Sequence, residues 1–351
     1  MPARKRTCKL RRMKLKKVNV ILFEAETRCN LGCVYCYNAW NAGSYPSGKL
    51  STRKTIGLLR KAVRESGTKR VTFTGGEPLL RDDLPDLVFS VRALGMKATV
   101  LTNGTLVDRA WAEDLKKAGV SQVQLTLLGT DPSVHDGHCG KGQFDRVMAA
   151  LETFDSVKVR TIVNMVVTKK NVDEIPAVMR FIAGRRQPLF LLNRFNPGGN
   201  GLKGKRLTDL MLDRKDTLRM LGHAQAGAEK LGITPAASVP IPPCVADHKR
   251  YPKVIFAGCN AASKRSYFAM DPLGNVRVCN HSPIIIGNVL RRRFLDIAND
   301  SGVEEWRRIR PEMCVPCPGW SACLGGCRAA ALQMGLGLES LDPYVAHCLG
   351  R

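Results

Sequence analysis

Between about residues 18 and 235, short apolar runs alternate with longer stretches whose apolar positions recur every three or four residues. The short runs, at 18–24, 70–74, 97–102, 122–128, 158–167 and 189–195, predict strands. The longer stretches predict helices at 52–66, 84–94, 110–118, 144–154, 172–183 and 210–231, the first with Ser51 as its cap and Gly67 as its stop. Six strand–helix units in series imply an α/β fold with parallel strands joined by right-handed crossovers. Either an open doubly wound sheet or a barrel satisfies that pattern, and periodicity alone does not choose.

The segments that follow the strands are unusual in composition. The first strand leads into Thr27-Arg28-Cys29, the second into Gly75-Gly76-Glu77-Pro78, and the third into Asn103-Gly104. Parallel α/β folds build their sites at the C-terminal ends of strands, so these segments are expected to share one site. Past about residue 235 helical periodicity gives way to prolines, glycines and cysteines, with Pro240, Pro242 and Pro243 marking a linker. A basic arm (1–17), a first domain (18–235) and a smaller second domain (236–351) are expected. In the second domain, Leu273-Gly274-Asn275 suits the tight turn of a hairpin between 266–270 and 276–279. Few apolar runs remain there for a core, and metal clusters would supply the missing stability.

Composition narrows the chemistry. The chain has 351 residues, of which 44% are hydrophobic, and no run approaches 18 uninterrupted apolar residues, so no membrane helix is expected. The N-terminal stretch is basic but lacks the apolar run and cleavage site of a secretory signal, which points to the cytoplasm. Thirteen cysteines in a reducing compartment indicate metal or redox chemistry, and ten of them fall into two patterned groups; Cys8, Cys139 and Cys244 stand apart. A net charge of +25, with nine Lys or Arg among the first seventeen residues, suits either an acidic partner or a solvated basic surface. No RNA-binding motif accompanies that charge, so a nucleic-acid partner is not expected.

Cys29, Cys33 and Cys36 have the spacing CxxxCxxC in a loop after a strand. Three thiolates hold three irons of a four-iron cluster and leave the fourth open, although zinc accepts similar ligands. Cys29-Asn30-Leu31-Gly32-Cys33-Val34-Tyr35-Cys36, followed one strand later by Thr74-Gly75-Gly76-Glu77-Pro78, resembles the signature of the radical S-adenosylmethionine (SAM) superfamily. The resemblance implies a partial (β/α)6 barrel whose [4Fe-4S] cluster, on Cys29, Cys33 and Cys36, reduces SAM to a 5′-deoxyadenosyl radical. It also implies that Gly75, Gly76 and Glu77 bind the methionine part of SAM, that Tyr35 lies against the adenine, and that Asn103 and Asn164 contribute near the ribose. Where relatives often read Ser-Leu-Asp-Gly and then Arg-Gly, this chain has Thr126-Leu127-Leu128-Gly129 and Cys139-Gly140. The absent Asp and Arg imply a different substrate or a different way of placing it.

The second group runs Cys259, Gly274, Cys279, Cys314, Cys317, Cys323, Cys327 and Cys348, and its intervals resemble the SPASM domain, an extension that binds two auxiliary iron–sulfur clusters. The resemblance implies one [4Fe-4S] cluster on Cys259, Cys279 and Cys327, closed by Cys244 or left with an open iron, and another on Cys314, Cys317, Cys323 and Cys348. The alternative is a zinc ribbon on Cys314, Cys317, Cys323 and Cys327, which leaves three cysteines unexplained.

SPASM enzymes modify ribosomally made peptides or proteins by crosslinking, epimerisation or oxidation, so the resemblance implies a peptide substrate and a low-potential electron donor such as flavodoxin or ferredoxin. A small-molecule substrate such as a tetrapyrrole is the alternative. In relatives that mature sulfatases an Asp follows the second SPASM cysteine; here Asn280 follows Cys279, and Asn is no general base, although His281 next to it could accept a proton. Only twenty-eight residues precede Cys29, so an acidic leader is expected to dock on the basic residues at 4–17.

Overall fold

The computed structural model describes residues 14–42, 45–185, 187–199, 203–263 and 267–351. Most of the basic arm, and Cys8 with it, lies outside these residues. Six parallel strands are observed where apolar runs predict them: β1 (Val20–Glu26), β2 (Arg70–Gly75), β3 (Lys97–Thr102), β4 (Gln122–Thr126), β5 (Thr161–Val167) and β6 (Leu189–Arg194). They hydrogen-bond in chain order, β1 to β6, with no reversal. A doubly wound sheet needs a reversal of strand order, so right-handed crossovers here put every helix on the same face and curl the sheet as in a barrel.

The two faces of these strands differ in chemistry. Ile21, Phe23, Val71, Phe73, Val100, Val123, Leu125, Val163, Met165 and Phe190 are fully buried on the helix side. Each such side chain contributes about 1.5–3 kcal/mol by leaving water. Glu24, Thr72, Thr99, Gln124, Thr126 and Asn164 belong to the opposite, inward face, as the register shows by pairing Glu24 with Thr74 and Thr126 with Asn164. The inward face therefore carries polar side chains, with Leu22, Leu101 and Ile162 sharing it by the same register.

Helices α1 (Thr52–Ser66), α2 (Leu84–Arg92), α3 (Arg109–Lys117), α4 (Pro132–Cys139), α5 (Gln143–Ser156), α6 (Ile175–Gly184), α7 (Gly204–Thr208) and α8 (Arg214–Leu231) link the strands. Ser51 stands at the N-cap of α1 but makes no side-chain capping bond, while Gly67 closes the helix with φ 64° as expected. Lys158, at φ 59°, closes the turn after α5, which is why β5 begins at Thr161 and not at 158. Helix α4 is absent from the sequence expectations; Asp131 caps it by accepting from Ser133 N at 2.7 Å, and Pro132 starts it.

The expected boundary at 235 falls inside a strand. Strands β7 (Thr234–Ala237) and β8 (Ile255–Phe256) extend the sheet in parallel beyond β6. At the other edge, β9 (Tyr267–Met270) pairs in parallel with β1 and forms the expected hairpin with β10 (Asn275–Arg277), followed by β11 (Ile285–Asn288). Buried Asp271 accepts from Leu273 N and Asn275 N, both at 2.9 Å, and Gly274 adopts φ 85°. The sheet is thus continuous over eleven strands, and one hydrophobic core runs from Val18 to Cys348. Short helices α9 (Phe294–Ala298), α10 (Ser301–Arg308), α11 (Trp320–Cys323), α12 (Arg328–Gln333) and α13 (Pro343–Cys348) follow; Cys323 ends α11, Cys327 caps α12 and Cys348 ends α13. Among the described residues no helix is long and apolar enough to cross a membrane.

Candidate cluster and cofactor site

The loop after β1 brings Cys29, Cys33 and Cys36 to the wall of one cavity of about 1000 Å³. Buried Glu26 starts the loop by accepting from Thr27 N (3.0 Å), Arg28 N (3.1 Å) and the Arg28 guanidinium (2.9 Å). The loop is then paired to the segment after β2: Gly76 N donates to Glu26 O at 2.8 Å, and Glu77 N to Arg28 O at 2.9 Å. A Cβ at Gly75 would lie 2.1 Å from Glu26 O, and one at Gly76 would lie 2.1 Å from Arg28 O. Only glycine lets the second loop lie this close to the cysteine loop.

The Glu77 carboxylate is fully buried and accepts from Leu79 N (3.0 Å), Thr102 Oγ1 (2.8 Å) and Asn103 N (2.8 Å), so it fastens the second loop to the third. Burial pushes its pKa up to about 7 against those bonds. Asn103 in turn donates to Asn30 Oδ1 at 2.9 Å and reaches Cys29 Sγ at 3.9 Å. Thr105, which sequence reasoning missed, accepts from Asn30 Nδ2 at 2.8 Å and closes this network. Asn164 lies within the curl, where its Oδ1 accepts from Asn193 Nδ2 at 2.8 Å.

The Tyr35 hydroxyl lies 3.6 Å from Cys139 Sγ, at the end of α4, and Cys33 is a neighbouring thiol of Cys139. Cys139 is therefore part of the loop's support and not an incidental thiol. Tyr37, also missed, bridges the two halves of the molecule: its hydroxyl accepts from Asn280 Nδ2, and its ring meets that of His281 with centroids 4.9 Å apart. Burial raises its pKa, with the charges of Cys36 on one side and Cys279 on the other adding to the rise. His281 is no free base. Its Nε2 faces Pro197 O at 2.8 Å and its Nδ1 faces Asn196 Nδ2 at 2.7 Å, and burial depresses its pKa to about 3. The ring is thus neutral, donating through Nε2.

The cysteines of the second group assemble in two places. Cys279, Cys327 and Cys259 are neighbours, and Asn196 Nδ2 donates to Cys327 Sγ at 3.2 Å. Cys314, Cys317 and Cys323 are neighbours in the turns before α12. Cys244 has Cys323 and Cys317 as neighbouring thiols. The Cys348 thiol faces Leu212 O at 3.6 Å, with Tyr344 and Thr217 around it. Helix α13 is anchored through its capping residue Asp342, held by Arg194 at 2.6 Å, and through the Tyr344 hydroxyl, which meets Thr217 Oγ1 at 2.8 Å.

These residues fit iron–sulfur clusters. Arg328 is 1% exposed and lies between the two places, interacting with Cys259 and Cys327 on one side and with Cys314 and Cys323 on the other. Its Nη2 donates to Ile309 O (2.8 Å) and Leu324 O (3.1 Å), but Nε and Nη1 have no partner among the described residues. A buried cation with unpaired donors between two sets of thiols calls for anions there, and thiolate-ligated clusters are anions. Burial pushes Cys29 and Cys314 up to about 11 and Cys327 up to about 12, so metal-free thiols stay protonated and loading releases protons.

Known proteins resemble this chain along nearly its whole length. The family model of the radical SAM superfamily matches residues 26–182, and that of an iron–sulfur cluster-binding domain, SPASM, matches 259–323. The PqqA peptide cyclase of Xanthomonas axonopodis pv. citri is 27% identical over 333 residues, covering 92% of this chain and 86% of that protein. The Fe-coproporphyrin III synthase of Methanosarcina barkeri is 30% identical over 216 residues, covering 59% of this chain and 54% of that protein. Among solved structures, Streptococcus suis SuiB bound to precursor peptide SuiA superposes with a TM-score of 0.75 at 19% identity, over 94% of this chain and 76% of that one. The enzyme anSMEcpe with bound AdoMet and a peptide superposes with a TM-score of 0.71 at 20% identity, over 94% of each chain. Both share the fold described above.

Proposed function

We propose that this chain, which belongs to the radical SAM superfamily and carries a C-terminal SPASM domain, oxidatively modifies a side chain of a ribosomally made peptide or protein. The observation that carries the reading is the shared cavity: Cys29, Cys33 and Cys36 line it together with Leu332, Gln333 and Met334 of the C-terminal region. When bound, a four-iron cluster with one open iron supplies the electron that cleaves SAM to a 5′-deoxyadenosyl radical. Cys29, Cys33 and Cys36 hold that cluster, and Tyr35, Gly75, Gly76, Glu77, Asn103 and Asn164 shape the space for SAM. Cys139 and Tyr35 brace Cys33, while the Glu77 network fixes the loop against β3.

Tyr37 and His281 lie between Cys36 and the group of Cys259, Cys279 and Cys327 and form a side-chain link between the two cysteine regions. That link suits removal of the electron left on a substrate after hydrogen abstraction. Lys203 on the cavity wall suits an acidic segment of peptide. The long matches are to a peptide cyclase and to enzymes solved with peptides, whereas the tetrapyrrole-linked relative covers little more than half of this chain, so the peptide reading is preferred. The enzyme works in the cytoplasm with a flavodoxin or ferredoxin as donor. The test is anaerobic incubation with SAM and a reductant, followed by mass spectrometry of peptides that co-purify from the native host. Formation of 5′-deoxyadenosine with a changed peptide mass supports the reading; 5′-deoxyadenosine coupled only to a small molecule rejects the peptide substrate.

A further inference from the structure

We propose that Trp40 and Tyr45, with Ile285 beside them, form the wall that receives a large apolar side chain of the substrate, and so set which peptides the enzyme accepts. The inference rests on the peptide reading above and adds to it the chemistry of the residue that is recognised.

Position is the first argument. Trp40, Tyr45, Pro46 and Ile285 line the same cavity as Cys29, Cys33 and Cys36. The Trp40 and Tyr45 rings meet with centroids 6.2 Å apart and planes at 61° to each other. Ile285 of β11 is the cross-strand partner of Arg277 of β10 and is 39% exposed. Neither ring belongs to the hydrophobic core, so the surface they turn to the cavity is not spent on holding the fold. Aromatic faces kept outside a core and inside a cavity are the material of a ligand pocket. A cavity of about 1000 Å³ lies at the top of the range for one small ligand, so room remains beside SAM.

The rings are fixed from behind. The fully buried Arg277 guanidinium lies 5.5 Å from the Trp40 ring centre and 4.9 Å from that of Tyr45. Arg277 is itself held by the buried Glu24 carboxylate and by donating to Ser282 O at 2.7 Å. The Tyr45 hydroxyl donates to Asp271 Oδ2 at 3.0 Å, and Asp271 is the residue that shapes the turn between β9 and β10. The wall is thus set before a substrate arrives, which lowers the ordering cost of binding.

Charge selects the occupant. Among the described residues on the cavity wall Lys203 alone carries a charge, and none is a carboxylate. A Lys or Arg side chain of a substrate would lose water there without gaining a counter-ion. An Asp or Glu side chain is drawn to Lys203, which is exposed, and gains nothing from the two rings. A side chain such as Leu, Met, Phe or Trp gains by leaving water in proportion to its apolar area. Such a side chain is what the wall fits.

The experiment uses the full chain, reconstituted anaerobically with iron and sulfide and saturated with SAM, to select from a library of random short peptides. The retained peptides are sequenced for the parent, Trp40→Ala and Ile285→Glu, and iron per chain is counted in each. The expected result in the parent is one peptide position where large apolar residues outnumber Lys and Arg by about tenfold. Trp40→Ala should cut that excess severalfold at unchanged iron. Ile285→Glu puts a carboxylate on the wall from the edge strand of the sheet, and should turn the preference toward Lys and Arg. If Trp40→Ala loses iron, Ile285→Glu alone decides. A parent with no apolar preference, or the same apolar excess in every variant that keeps its iron, overturns the proposal. A parent that retains no peptide above a protein-free control overturns the peptide reading itself.

Discussion

Arg194, the last residue of β6, donates a 2.6 Å hydrogen bond to Asp342, the capping residue of α13, and neither side chain reaches solvent. Arg194 also donates to Pro240 O at 2.8 Å and Asn196 Oδ1 at 3.1 Å, and its guanidinium lies 4.0 Å from the Tyr344 ring centre. Asp342 accepts in addition from Cys327 N at 2.8 Å. One ion pair therefore ties the barrel, a cluster cysteine and the last helix together. Removing the carboxylate leaves a buried cation without its counter-ion, which costs about 3–5 kcal/mol. Asp342→Ala is expected to lower the denaturant midpoint accordingly; a midpoint within experimental error of the parent would reject the assignment.

Gly75→Ala and Gly76→Ala each drive a methyl into the carbonyl of the cysteine loop, at 2.1 Å. Both are expected to abolish iron binding at Cys29, Cys33 and Cys36 while leaving auxiliary iron in place. Gly222 in α8 has nothing within 4 Å of its Cβ position and is exposed. Gly222→Ala is expected to stabilise by about 0.5–1 kcal/mol through helix propensity, with iron unchanged. Iron assay and thermal unfolding of the three variants check the contrast.

His135 accepts from Leu128 N at 3.3 Å and is 1% exposed. Burial lowers its pKa from 6.5 to about 4, against a weaker opposing pull from Asp136. A depressed histidine contributes its stability above the unfolded value of 6.5 and loses it as pH falls through 4, about 3 kcal/mol in all. Glu24 and Glu77, both raised to about 7 by burial, act with the opposite sign, losing stability as pH rises from 4.5 to 7. Comparing His135→Gln with the parent isolates the histidine: the variant should lose less stability between pH 6.5 and pH 4.5. Parallel profiles would refute this.

Arg328 places a buried positive charge between the two auxiliary positions. A nearby cation favours the reduced, more negative state of a cluster. Arg328→Gln is expected to lower the reduction potential of both auxiliary clusters, read by redox titration in the background lacking Cys29, Cys33 and Cys36. A shift confined to one cluster would mean that the guanidinium belongs to that site alone.

The basic arm is anchored where its described part begins, with Leu15 N donating to Asn299 Oδ1 at 2.6 Å. Deletion of residues 2–13 spares that anchor. Affinity for the peptide substrate should fall, and its salt dependence should flatten, if an acidic leader docks on the arm. Unchanged affinity and salt dependence count against the docking.

The sequence showed the barrel strands because a helix-covered parallel sheet needs apolar runs, and α1 because Gly67 ends it in the left-handed conformation. Helix α4 was not legible: Pro132-Ser133-Val134-His135-Asp136-Gly137-His138-Cys139 has no apolar stripe, and its existence depends on the Asp131 cap and on tertiary contacts of His138 with Thr168. Strands β7 and β8, four and two residues long, carry too little pattern to register. Spacing marked Cys244 and Cys348 as candidates but could not say which thiols meet, since connectivity depends on where α13 docks. The locking of the loops by Gly75 and Glu77 was not legible, since a glycine or carboxylate beside a ligand and one that joins two loops look alike in sequence.

Two neighbouring strands of the sheet, β1 and β9, come from distant points of synthesis. Val20 of β1 leaves the ribosome early, yet its neighbour Tyr267 in β9 follows only after most of the chain has been made. At ordinary translation speeds the interval is roughly ten to fifty seconds. During that time β1 is a bare edge, open to pairing with any other extended chain, and the loop bearing Cys29 hangs from it. A nascent chain stalled before residue 267 is thus a seed for aggregation and not half an enzyme, so cells making this protein need either a chaperone on that edge or a quick passage to β9.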